Sequence, residues 1–230
     1  MLAHKKNLPS SANLPTRLRR DAVPRFAELP TAPAMAASVV TLQVLLAEYV
    51  VDLEAITQVI RADVGLTIEL LRSAKVGPSS LGDVHVDLSQ IAVETGLERL
   101  RKIIMGVPLL GYGPQICLNM EECGSFWLRA RQTARTAEQV ASEVFPELAE
   151  TAYLAGLLHH LGELPCLLNW ETPGHQCAKT GEIGCRMAQA WGLPELLVDV
   201  IRGDEQACSS RESQWLLRLI DAAEPVILRG

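Results

Sequence analysis

Between Trp127 and Val144 the apolar residues Trp127, Ala130, Ala134, Ala137, Ala141 and Val144 recur three and four positions apart, the spacing that lines one face of an α-helix. The central members of this stripe are alanines, so the face is smooth and lets a second helix approach closely. Arg129, Arg131, Arg135 and Glu138 fall on the other face. Such a segment buries its stripe by packing against helices, and sustained alternation of period two, the mark of strands, is nearly absent from the rest of the chain.

The remaining segments read the same way. Pro33 suits a first helical turn, Val39, Leu42, Leu45 and Leu46 follow at helical spacing, and that helix is expected to end near Glu48. Asp52 can cap a second helix with Leu53, Ile56, Val59 and Ile60 inward, and a third carries Leu66, Leu70, Leu71 and Ala74 before Gly77 and Pro78 close it. Asp87 can start another, and Leu97, Leu100, Ile103, Ile104 and Val107 share a face until Pro108. Pro146 opens a helix holding His159 and His160, interrupted by Pro165, and further helices are expected over 178–191, 194–202 and 213–222. The predicted fold is all-α, without a repeat of fixed period. It has an N-terminal helical lobe over about residues 28–110 and a second lobe over about 124–230, joined by a Gly-, Pro-, Asn- and Cys-rich connection.

With 230 residues, 48% of them hydrophobic, the chain can build a sizeable core. No apolar run reaches the roughly 18 residues of a membrane helix, and the N-terminus lacks the apolar stretch of a signal peptide, so a cytoplasmic protein with no membrane partner is expected. Six cysteines without a C-x-x-C pair are expected to be reduced thiols. The net charge of −6 disfavours a nucleic-acid binder. The charge is unevenly placed: Lys5, Lys6, Arg17, Arg19, Arg20 and Arg25 face only Asp21 in a Pro- and Ser-containing leader, read as a flexible basic arm over residues 1–27. The four tryptophans are assigned to core packing.

The stretch YLAGLLHHLGELPCLLNW, residues 153–170, sets two adjacent imidazoles in an apolar run. On a continuous helix His159 and Glu163 share a face, whereas His160 points about 100° away. A local three-residue metal cage is therefore poor, and a cation would need partners from elsewhere, such as His175 or Asp221. The expected arrangement has one histidine donating to a backbone carbonyl or to Glu163 and the other near the surface.

Taken together, LPTAPAM, VIRADVGLTIELLRSAKV, TGLERLRKII, YLAGLLHHLGEL and EIGCRMAQAWGLPELLVDVI resemble the HDOD domain, a bacterial relative of the HD metal-dependent phosphohydrolases, over roughly residues 28–206. The chain departs from that pattern at Asp63-Val64, where members commonly have Asp-Pro, and at Arg72-Ser73-Ala74, where they have Asn-Ser-Ala. The resemblance implies an all-helical regulatory module in signalling without catalysis. Hydrolysis in a true HD site needs several ligands converging on a divalent ion. At the positions resembling those ligands this chain has Arg129, which cannot ligate a cation, His159-His160 in place of His-Asp, Thr180 in place of a histidine, and Gly203-Asp204-Glu205 in place of His-His-Glu. Only Asp221 still resembles the distal aspartate. The implied reading has no catalytic residue, no metal and no cofactor. It gives a degenerate site at Arg129, His159, His160, Thr180 and Asp221, with Arg129 and His159 as possible contacts for a small anionic effector and signalling proteins as partners. The alternative is a metal-dependent phosphohydrolase with a rearranged ligand set.

Overall fold

The structure, a computed structural model, describes residues 30–74, 85–112, 120–170 and 179–227, with side chains described as far as Glu224. The expected arm over 1–27, the Gly77-Pro78 stop and His175 lie outside the described residues. The N-terminal half holds α1 (Ala36–Ala47), α2 (Leu53–Arg61), α3 (Val64–Ser73), α4 (Leu88–Thr95) and α5 (Leu97–Gly106). The second half holds α6 (Met120–Val144), α7 (Ala149–Leu158), α8 (Leu164–Leu167), α9 (Thr180–Ala190), α10 (Glu195–Arg202) and α11 (Arg211–Ile227), with single 3-10 turns at Pro146–Leu148, Leu161–Glu163 and Glu205–Ala207. Among the described residues the only β-type pairing is one isolated bridge between Ala34 and Leu109. The fold is all-α, as the periodicity predicts.

That bridge corrects the predicted start of α1. Ala34 donates to Pro108 O (2.8 Å) and accepts from Leu110 N (2.8 Å), so both its backbone groups are committed to the segment after α5. Pro33 therefore belongs to an extended lead-in, and α1 starts only at Ala36. Aspartates set the next helix starts: Asp52 accepts from Ala55 N, and Asp87 from Ser89 N and Gln90 N. Asp63, wholly buried, has the largest structural role of the three. One of its oxygens caps α3 through Gly65 N (3.0 Å) and Leu66 N (3.2 Å), and the other accepts from Met35 N (2.8 Å) in the lead-in. Burial nevertheless raises its pKa above the ordinary carboxylate range, against the lowering effect of those donors.

The small-residue stripe of α6 is buried from Trp127 through Ala141, while Val144 at its end is exposed. It packs on α7 at near-backbone distance: a Cβ added to Gly156 would lie 2.8 Å from Ala134 Cα. One cluster of buried residues runs continuously from Ala32 to Ile220. Trp127, Trp170 and Trp191 are buried within it, and Trp215 packs on it in part. The cysteines are not uniformly reduced as expected: Cys166, Cys185 and Cys208 are free, but Cys123 is disulfide-bonded.

The two halves are tied through Arg61, at the end of α2. Its guanidinium meets Glu138 of α6 (2.9 Å) and Glu150 of α7 (2.8 Å) and lies 3.7 Å from the Tyr153 ring centroid, while Tyr153 Oη donates to Arg61 O (3.0 Å). Desolvation pushes the Glu150 carboxyl up to about 7; Arg61 pulls the other way, and Glu138, Asp87 and Glu54 add to the rise. The unfolded carboxyl ionises near 4.5, so between that pH and about 7 the folded state holds the extra proton and stability falls as pH rises. Glu150→Gln mimics the protonated form. It should match the parent at pH 5 and exceed it at pH 8 by about 1–3 kcal/mol in chemical denaturation, and equal stabilities at both pH values would show that the carboxyl is not held protonated.

Candidate functional site

The apolar, glycine-containing run of α7 is buried throughout and ends at Leu158. His159 and His160 therefore do not lie inside a continuous helix, as the sequence suggests. They form the turn after it, with His160 at φ −92°, ψ 18°. The expected divergence of about 100° is lost, and the rings come together with centroids 3.8 Å apart at 38°. The 3-10 turn Leu161–Glu163 then passes against the start of α9. There Gly162 is irreplaceable by contact: a Cβ would lie 1.9 Å from Thr180 O.

The two imidazoles converge on a residue that sequence reasoning missed. His159 Nε2 lies 2.8 Å and His160 Nε2 2.5 Å from the same Oε1 of Glu224, on α11. His159 Nδ1 is 2.7 Å from Gly156 O, an arrangement that requires the proton on Nδ1. His160 Nδ1 faces Glu163 Oε1 at 3.3 Å, and Arg129 donates to Glu163 Oε2 at 3.0 Å. The expected donation of one histidine to a carbonyl is met by His159, whose side chain is 8% exposed against 31% for His160. The partner of Glu163 is His160, not His159. A signal for Glu224 was present in the sequence: it sits three residues after Asp221, on the same face of a helix.

The charges follow from this geometry. The His159 hydrogen bond holds the Glu224 carboxyl down at about 2, burial and then His159 lower His160, and burial followed by Glu224 raises Asp221. These groups open onto a cleft of about 1380 Å³ bounded by the α7 end, the start of α9, the end of α10 with the following turn, and α11. His159, His160, Thr180 and Asp221 all line it, as do Gly203, Asp204 and Glu205. The buried Asp199 carboxylate fixes the far wall, accepting from Arg202 Nη1 (2.9 Å), Ser209 N (2.7 Å) and Ser209 Oγ (2.6 Å).

Arg129 is the sequence-selected residue that the structure sets apart. It lies outside the lining of the cleft, paired with Glu163 on the His160 side, and does not face His159. His159 in turn has both ring nitrogens engaged. The pair proposed to grip an anion is thus not brought together. At the two positions where the sequence resemblance calls for metal-binding histidines the side chains are the Arg129 guanidinium and the Thr180 hydroxyl, neither of which offers an imidazole ligand.

Comparison with known proteins agrees with this architecture. A crystallised fragment of the MmoQ response regulator of Methylococcus capsulatus superposes with a TM-score of 0.64 at 18% identity, covering 85% of this chain and 83% of that one. A second crystal structure of that protein gives 0.64 at 17% identity. An uncharacterised protein of Treponema pallidum is 26% identical over 208 residues, and the chain spans 39% of its length. The structural class is an all-α helical module. The chain belongs to the HDOD domain family, whose model matches residues 29–172. The resemblance in the sequence motifs extends to about 206, whereas the family match ends before α9, and Thr180, Asp221 and Glu224 lie beyond it.

Proposed function

We propose that this chain is a non-hydrolytic regulatory module of bacterial signalling that works by contact with another protein. The observation that supports this reading is Arg129, a permanently charged fork committed to Glu163 at the position that, by the sequence resemblance, corresponds to the first metal-binding histidine of the hydrolytic relatives. Contact surface is available on the first lobe. Helix α1 carries apolar residues beyond its core face: Val39, Leu42 and Leu46 face the core, whereas Val40 and Val44 are 58% and 60% exposed. Met105 of α5, 68% exposed, lies beside them through Gln43. The cleft lining sets Glu182, Asp204, Glu205, Asp221 and Glu224 against Lys179 and Arg202, a balance that favours a protein contact over a small anionic effector as the means of regulation.

A second reading, a phosphohydrolase with a rearranged ligand set, is favoured by one observation: His159, His160, Thr180 and Asp221 do share a single cleft. One assay separates the two. Purified protein supplied in turn with manganese, nickel and zinc should show no turnover of phosphomonoesters, phosphodiesters or nucleotides above background. Turnover lost in His160→Ala and in Asp221→Asn, both still folded by circular dichroism, would replace the first reading with the second.

A further inference from the structure

We infer that His159, His160 and Glu224 form a binding site for one divalent transition-metal ion of the zinc type, which ties the end of α7 to α11 and is not a hydrolytic centre. Three ligand atoms, two ring nitrogens and one carboxylate oxygen, lie within 4.8 Å of one another. They come from two elements 64 residues apart in sequence at their nearest members, and both rings aim the same nitrogen at the same oxygen.

The outer contacts match what a metal-binding imidazole needs. Such rings hold their second nitrogen on a backbone carbonyl or a carboxylate, which fixes the tautomer and leaves the other nitrogen free to donate its lone pair. His159 Nδ1 rests on Gly156 O and His160 Nδ1 faces Glu163, itself fixed by Arg129. With the proton on Nδ1 of each ring and none on Nε2, both Nε2 lone pairs would point at an anionic oxygen. Lone pair then faces lone pair unless something positive sits between them. Without an ion, a second proton on His159 and the Nε2–H tautomer of His160 would fill the gap, at the cost of an imidazolium set against the other ring with centroids 3.8 Å apart and of a His160 Nδ1 lone pair turned toward the Glu163 carboxylate. A single dication satisfies all three groups at once.

The donor set selects the ion. Two neutral imidazoles and one carboxylate suit zinc or nickel better than magnesium or calcium, which prefer oxygen. Bonds of about 2.0–2.1 Å at tetrahedral angles need donors roughly 3.3 Å apart. Oε1 therefore has to part from the His159 nitrogen by about 0.5 Å and from the His160 nitrogen by about 0.8 Å, which rotation of the partly exposed Glu224 side chain supplies. The fourth position opens into the cleft. This ligand set differs from the hydrolytic arrangement because its carboxylate is Glu224, one turn beyond Asp221 on α11, and neither residue 129 nor residue 180 contributes.

The test uses the untagged full chain, stripped with chelator and titrated with zinc, then with cobalt as a spectroscopic substitute. Retention of one ion per chain after desalting is expected, with a rise in Tm of about 5–10 °C at saturating zinc. Cobalt should give the visible spectrum of nitrogen and oxygen ligands without the near-ultraviolet thiolate band that the free cysteines would produce. Glu224→Gln, nearly isosteric, and His160→Gln should each lose more than about 100-fold in affinity, and Glu163→Gln, which touches only the outer nitrogen, about 10–100-fold. Absence of a stoichiometric ion, a thiolate band, or unchanged affinity in folded Glu224→Gln would each overturn the site. The phosphoester panel run on the zinc-loaded protein reads the other question separately: binding without turnover supports both proposals, and binding with turnover keeps the ion and overturns the non-hydrolytic reading.

Discussion

Gly162→Ala is expected to destabilise the protein by about 3–5 kcal/mol, enough to lower Tm by roughly 10 °C in a chain of this size. Backbone preference alone gives the opposite answer. Alanine in a helical turn is favoured over glycine by about 0.5–1 kcal/mol, and Gly162 does not have a positive φ that would reverse this. Sterics decide the sign. An added Cβ would sit 1.9 Å from Thr180 O, 2.8 Å from Thr180 C and 2.9 Å from Gly184 N, all backbone atoms of α9 that no rotamer change can move. The turn after His160 would have to lift off α9, widening one wall of the cleft and disturbing the histidine pair. Gly124→Ala is the control: it lies in α6 with nothing within 4 Å of its added Cβ, so stability should rise by a few tenths to about 1 kcal/mol. Thermal denaturation of both variants reads the contrast, and a Gly162→Ala protein as stable as the parent would show that the turn does not press on α9 as described.

The second large effect is expected at Asp63. Asp63→Ala removes the acceptor for Gly65 N, Leu66 N and Met35 N together and leaves buried donors unpaired, a loss of about 3–5 kcal/mol. Asp63→Asn should fall between, at about 1–3 kcal/mol. Its amide oxygen can still cap α3, but the NH2 group then faces the N–H of Met35, donor against donor. Chemical denaturation should rank the parent above Asn above Ala. If Asn and Ala proved equal, the cap would not survive in the amide; if Asn matched the parent, the link to the lead-in would be worth nothing. The close seat of Gly65, whose Cβ would lie 2.2 Å from Pro33 O, shows why the lead-in depends on this clamp: it crosses α3 with no side chain between.

Much of this was legible in the residues themselves. Alanine spacing predicted the buried face of α6, aspartates marked the starts of α2 and α4, and the helices expected over 178–191 and 194–202 placed the break between α9 and α10. What stayed hidden depended on tertiary placement. Pro33 reads as a helix start until the partner of Ala34 is known to be Pro108. The histidines read as helical because the apolar run continues through Leu161 and Leu164, whereas the α7 helix stops at Leu158. A helical wheel cannot bring adjacent side chains together, so the convergence on Glu224 was out of reach once that continuity was assumed. Arg61 offered no local pattern at all, since Glu138 and Glu150 reach it from positions 77 and 89 residues away in sequence.

The contact of Ala134 with Gly156 sets a rule for the ancestry of this sequence. With main chain pressed against main chain at that crossing, drift at 156 is closed to every other amino acid unless α6 and α7 separate, and separation would carry the two imidazoles away from α11. Lineages that preserve the crossing should therefore show a bare backbone at this column even where neighbouring core positions exchange leucine, isoleucine and methionine freely.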